Sequence, residues 1–144
     1  AVPHATGQHY AIGAPGGIRS FEGWAGGIAE TTPSGRHVLH TNHPLGGQSA
    51  GVDADAVYAR SRTRERLACL ASQTETLTDR AGLEAALADT SVPISIAPRA
   101  GFMTFGGVSL ALTAPPEVRI APGPPHMTPF EGVAFPTGRS AVAD

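Results

Sequence analysis

Thirty-one of the 144 residues are glycine or proline (18 and 13), whereas leucine, isoleucine, valine and phenylalanine together number only 29. A chain interrupted so often holds short elements joined by many turns, and it has little with which to fill a core. A large-apolar share of about a fifth lies near the level at which order is lost. The hydrophobic fraction of 41% rests largely on 24 alanines, each of which buries little surface. Against disorder, the net charge is only -2 and the apolar residues fall in patterned runs. The expectation is one folded unit, 1–144, whose incomplete core is completed by another segment or chain.

Composition also removes function classes. All ten basic residues are arginine, and near-neutral charge provides neither a basic field for nucleic acid nor a polybasic patch for a membrane surface. No stretch approaches the roughly 18 apolar residues of a membrane span. The single Cys69 leaves no internal disulfide and no cysteine zinc site. Localisation stays open, with cytoplasm as the default.

Along the chain, Tyr10-Ala11-Ile12-Gly13 starts a short strand and Ala14-Pro15-Gly16-Gly17 reads as a turn. Residues 20–29 read as one strand broken by glycines where another backbone comes close, and 37–41 as the strand paired with it across a turn at 31–35. Residues 53–73 form the best helix candidate, with Asp53 and Asp55 at its positive end and Arg60, Arg62, Arg64 and Arg66 on its polar side. A second helix is predicted from about Asp79 to Ala88, with Thr78 as N-cap. After an extended piece at 92–96, residues 102–112 alternate as a strand and 117–121 pair back as a hairpin. The Pro-rich run 122–144 is expected to wrap the surface as a tail. The fold class is α+β: strand hairpin, helix pair, strand hairpin.

Several tempting residues have plainer readings. His37, His40 and His43 have no carboxylate or thiol nearby in sequence to complete a set, and strand parity would put 37 and 40 on opposite faces, so a metal site is not expected. Cys69, alone on a helix, reads as a small buried hydrophobe. Glu22 either orients neighbours or is an exposed or salt-bridged strand residue. Residues Arg60 to Arg66 read as a solvated helix face. The glycines from 13 to 17 precede no helix and make no phosphate loop.

Three segments carry a resemblance: Ser20-Phe21-Glu22, the hexapeptide His40-Thr41-Asn42-His43-Pro44-Leu45, and the stretch from the Arg-rich helix through Leu87-Ala88-Asp89 to Ile94-Ser95-Ile96-Ala97-Pro98-Arg99. In this order, followed by a hairpin and a Pro-rich tail, they resemble the acyl-coenzyme A:isopenicillin N (6-aminopenicillanic acid) acyltransferase family of N-terminal-nucleophile hydrolases. The Thr-Asn pair followed by Pro also resembles the related penicillin V acylases and bile salt hydrolases. The resemblance implies an αββα sandwich, of which 1–144 would be the C-terminal part. It also implies a self-processed Cys whose thiol attacks an amide or thioester carbonyl with its own α-amine as base. Residue 1 here is Ala, so the expected partner is an N-terminal segment or chain carrying that Cys.

By the same resemblance the catalytic residues carried here are Asn42 and Arg99. The Asn42 amide would donate to the oxyanion of the tetrahedral intermediate; its plainer reading is a turn former before Pro44. Arg99 would hold the thiolate charge; its plainer reading is a surface arginine after Pro98. The expected reaction is hydrolysis or acyl transfer at a small N-acyl amide, or with an acyl-coenzyme A substrate, and no cofactor or metal is called for. The rival is a non-catalytic binding or assembly domain that retains the fold.

Overall fold

The computed structural model describes residues 8–14, 16–24, 27–31, 36–45, 61–91, 94–96 and 103–134. Among them are six strands: β1 (Gln8–Ala14), β2 (Gly17–Trp24), β3 (Gly27–Thr31), β4 (Gly107–Ala111), β5 (Glu117–Ala121) and β6 (Glu131–Val133). Among the described residues, helices α1 (Thr63–Ser72) and α2 (Arg80–Ala88) lie between β3 and β4 in sequence. The result is an α+β structure with two antiparallel sheets, β1-β2-β3 and β4-β5-β6. The expected 102–121 hairpin lies within a three-stranded sheet, whereas the expected pairing of 20–29 with 37–41 does not form.

In the first sheet Ala14 pairs with Gly17, which makes the expected turn a two-residue hairpin. Gly16 sits there at φ 101°, a conformation that glycine adopts without a Cβ penalty. The single strand expected over 20–29 is corrected to a second hairpin, because Trp24 pairs with Gly27 and β3 returns along β2. Residues 37–41 do not form a strand either. His37 makes an isolated bridge, and 38–41 are irregular. Their polar groups bond elsewhere: the His37 Nε2–H donates to the Leu77 carbonyl at 3.2 Å, and the next residues reach β2 and α1.

The helix expected over 53–73 is interrupted at Arg62: Ser61 before it is helical, and α1 runs from Thr63 after it. Arg62 is left-handed (φ 50°, ψ 35°), which an α-helix does not propagate through. Asp53, Asp55, Val57 and Arg60 lie outside the described residues. In α2 the cap is Asp79 rather than Thr78; its extended backbone lets the carboxylate accept the Gly82 N–H at 2.8 Å.

The hairpin of β4 and β5 is as expected, but β4 is shorter than 102–112 and Phe102 lies outside the described residues. Residues 103–106 do not pair as strand; the Thr104 backbone N–H instead donates to the Ile96 carbonyl, and its hydroxyl accepts the Ile96 N–H. In the first part of the Pro-rich run, most described residues are exposed or half-buried and two side chains reach the core. Pro125 and Phe130 are buried, and β6 pairs with β5. Residues 135–144 lie outside the described residues.

Cross-strand partners share a face. Val108 faces Ile120, and Leu110 lines up with Val118 and Val133, so one face of the second sheet is apolar. Much of that face is open: Val108, Leu110, Leu112, Ile120 and Val133 are all exposed, Leu110 at 62%. The opposite face meets α2, where the Ser109 hydroxyl donates to Glu84 Oε1 at 2.6 Å. Arg119 Nε lies 3.0 Å from the same carboxylate without pointing along a hydrogen bond, so the attraction there is coulombic. The first sheet also has an open apolar face, with Tyr10, Ile12 and Ile28 exposed around Phe21. Among the described residues only Ala86, Ile94, Ala121 and Phe130 are buried hydrophobics, fewer than the buried polar residues.

Gly107 marks the tightest part of that small core. A Cβ there would sit 2.9 Å from the Phe130 ring and 3.0 Å from Pro125, both held by burial. Gly107→Ala should cost about 1–3 kcal/mol by overpacking. Gly132→Ala, with nothing within 4 Å of its Cβ, should stay within about 0.5 kcal/mol of the parent. Denaturant unfolding of both variants checks this; equal midpoints would show that Phe130 is not fixed against β4.

Candidate active site

Strand parity places Ser20 and Glu22 on the same face of β2, with His9 of β1 opposite Glu22 and Thr31 of β3 opposite Ser20. Glu22 is not the exposed residue that a strand glutamate usually is; only 4% of its surface remains accessible. Its Oε1 accepts the Nε2–H of His40 at 2.8 Å and the backbone N–H of Leu45 at 2.6 Å. One carboxylate oxygen thus holds both ends of the hexapeptide. Burial of a carboxylate is tolerated only with such charge-assisted bonds. The His40 ring stacks on His9 with centroids 3.8 Å apart and planes 6° from parallel. His9 Nε2 lies 2.8 Å from the Ser20 hydroxyl, which accepts from Thr31 Oγ1 at 2.5 Å.

The middle of the hexapeptide is held by the first residue of α1. Thr63, at 0% exposure, accepts the Asn42 N–H on its hydroxyl at 2.8 Å and the Thr41 hydroxyl on its carbonyl at 2.9 Å. His43 Nδ1 lies 3.1 Å from both the Thr41 and the Thr63 hydroxyl. The Asn42 side chain is exposed, and its Oδ1 accepts from Arg66 Nη1 at 3.1 Å. Its Nδ2 has no hydrogen-bond partner among the described residues. The arrangement presents an amide donor on a backbone that two buried bonds hold in place.

Of the two residues expected to be catalytic, Asn42 lies at the exposed tip of this network and Arg99 lies outside the described residues. Cys69 is not brought to it. It sits six residues along α1 from Thr63, about 9 Å by helical rise, and its half-buried sulfur takes a weak 3.8 Å contact from Gln73. Among the described residues no group of three or more metal-ligating side chains converges.

Sequence reasoning missed Thr63 and misplaced Arg66. Arg66 was expected on a solvated face, yet it is partly buried and its Nε has no partner among the described residues. The available signal was spacing, since positions 63 and 66 are i, i+3 on one side of a helix.

Burial, then the neighbouring His40, pushes the His9 pKa below its ordinary value of 6.5, although Glu22 works in the other direction. Burial, then Arg64 and His40, lowers His43 likewise. A lowered histidine pKa means that the unfolded chain binds protons more readily, so stability is present above the ordinary value and is lost as pH falls through the folded values. The thermal midpoint should be level above about pH 7 and fall as pH drops below about 6.5, the ordinary histidine value. A midpoint flat across that window would show that neither ring is held neutral by the fold.

Thr63→Val keeps the shape but leaves the Asn42 N–H without an acceptor, and should cost about 1–3 kcal/mol. Thr63→Ser, which retains the hydroxyl, should lose much less. Hydrogen exchange at the Asn42 amide reports the bond directly, and unchanged protection in Thr63→Val would refute the tether.

No protein-family model matches the chain, and no curated protein or solved structure is significantly similar to it.

Proposed function

We propose that this chain is the C-terminal part of a self-processing cysteine N-terminal-nucleophile hydrolase or acyltransferase acting on linear amides. The observation that carries the reading is Asn42, whose backbone is pinned to buried Thr63 and whose side-chain NH2 is left as an outward donor. A donor fixed before the reaction stabilises an oxyanion without reorganisation, which is worth about 2.7–4 kcal/mol in comparable enzymes. The segment His40-Thr41-Asn42-His43-Pro44-Leu45 is also the part of the sequence that most resembles the family.

In the proposed reaction, the thiol of an N-terminal Cys on a completing segment or chain gives its proton to the adjacent α-amine and attacks the acyl carbonyl. The carbonyl electrons move onto oxygen, where Asn42 Nδ2 donates. Collapse expels the amine with that proton and leaves an acyl-cysteine, which water or a second acceptor then cleaves. Arg99 would hold the thiolate charge. The substrates would be small N-acyl amides or acyl-coenzyme A thioesters. The open apolar faces of both sheets are what the covering layers of an αββα sandwich would bury.

Asn42→Ala in the complete protein should lower the acylation rate by roughly 10²–10³, with a smaller effect on substrate binding and with self-cleavage and thermal midpoint unchanged. Full activity in a matured, folded Asn42→Ala protein would reduce Asn42 to a turn former and sink the reading. Residues 1–144 alone should not turn over a panel of N-acyl amides. Turnover that disappears in Cys69→Ala would move the nucleophile into this chain.

A further inference from the structure

A primary amide has two ends of nearly equal size, and rotation about its last side-chain bond exchanges oxygen for NH2. For an oxyanion donor that rotation is decisive: NH2 toward the developing charge stabilises it, and oxygen toward it repels it. Something must therefore fix the rotamer of Asn42. Its backbone bond to Thr63 does not, because it leaves the terminal torsion free.

We propose that Arg66 is the positioning residue that locks the Asn42 amide with its NH2 directed to the reacting carbonyl; this rests on the proposed role of Asn42. A guanidinium carries five donors and no acceptor, so the atom 3.1 Å from Arg66 Nη1 has to be the amide oxygen. The reversed rotamer would set NH2 against a cation. Arg66 is itself held by its backbone, whose N–H donates to the Arg62 carbonyl at 2.9 Å on the first turn of α1. Thr63, on the same turn, binds the Asn42 N–H, so one rigid helical turn fixes both the position and the orientation of the donor. The contact is kept at a cost, since Arg66 Nε is buried without a partner among the described residues. A solvated surface arginine would have no such loss.

The test is made in the complete, self-processed protein. Arg66→Met should lower kcat on the order of 10-fold with KM little changed, less than the loss in Asn42→Ala, because a free rotamer still donates part of the time. Arg66→Lys, a donor-only side chain of similar length, should recover much of that loss. The double variant Asn42→Ala/Arg66→Met should be no slower than Asn42→Ala alone, because Arg66 acts only through Asn42. In the parent protein, independent of any substitution, nitrogen relaxation of the Asn42 side-chain NH2 should show an order parameter near that of rigid backbone. Parent-like kcat in Arg66→Met, multiplicative losses in the double variant, or a freely rotating Asn42 amide would each overturn the proposal. Slow Asn42→Ala with normal Arg66→Met removes only Arg66. Full activity in Asn42→Ala removes the oxyanion reading beneath it.

Discussion

The buried Thr63 is the point on which the candidate site depends. Its hydroxyl and carbonyl hold Asn42 and Thr41, while Glu22 holds the two ends of the same hexapeptide from β2. With so few buried aliphatic side chains, α1, the hexapeptide and the first sheet are joined mainly by directional bonds. Apolar contacts tolerate sliding; buried hydrogen bonds do not, because each unmade one costs about 1–3 kcal/mol. A polar network of this kind specifies one arrangement where a small core would leave several.

The same shortage of core appears as open surface. In the second sheet, α2 covers one face through Glu84, Ser109 and small residues, and the other presents valines, leucines and an isoleucine to solvent. The first sheet is divided differently. Its His9, Ser20, Glu22 and Thr31 face carries the site network, and its Tyr10, Ile12 and Ile28 face is open. Under the proposed reading these features belong together: a layer that covers the open faces also brings the nucleophile to Asn42. The donor and its helical support are then prepared in this part of the chain before any substrate arrives.

Parts of the architecture were legible from local chemistry. The Ala14-Pro15-Gly16-Gly17 turn, the β4–β5 hairpin and α2 follow from signals within a few residues, and they form essentially where expected. The errors share a cause. Residues 20–29 read as one strand from apolar residues between glycines, and 37–41 as its partner from the turn before it; neither signal reveals whether a strand reverses or whether its backbone finds a partner. The break at Arg62 is hidden for a related reason. Periodicity runs through Arg62 without a break, and nothing local announces a left-handed arginine.

For the site, the sequence by itself determined that a short amide donor lies in a constrained Thr41-Asn42-His43-Pro44 turn, and that Ser20 and Glu22 share one strand face. It also determined that the only thiol falls within a predicted helix. Only the tertiary structure decided that Glu22 is buried beneath the hexapeptide and that Thr63 and Arg66 hold its centre. Those bonds join residues 18 to 24 positions apart. Contacts at that range depend on how separate elements are placed in space, and for Thr63 and Arg66 on α1 beginning at residue 63. Local propensity encodes none of this, and the i, i+3 spacing of Thr63 and Arg66 shows only that they share one side of a helix.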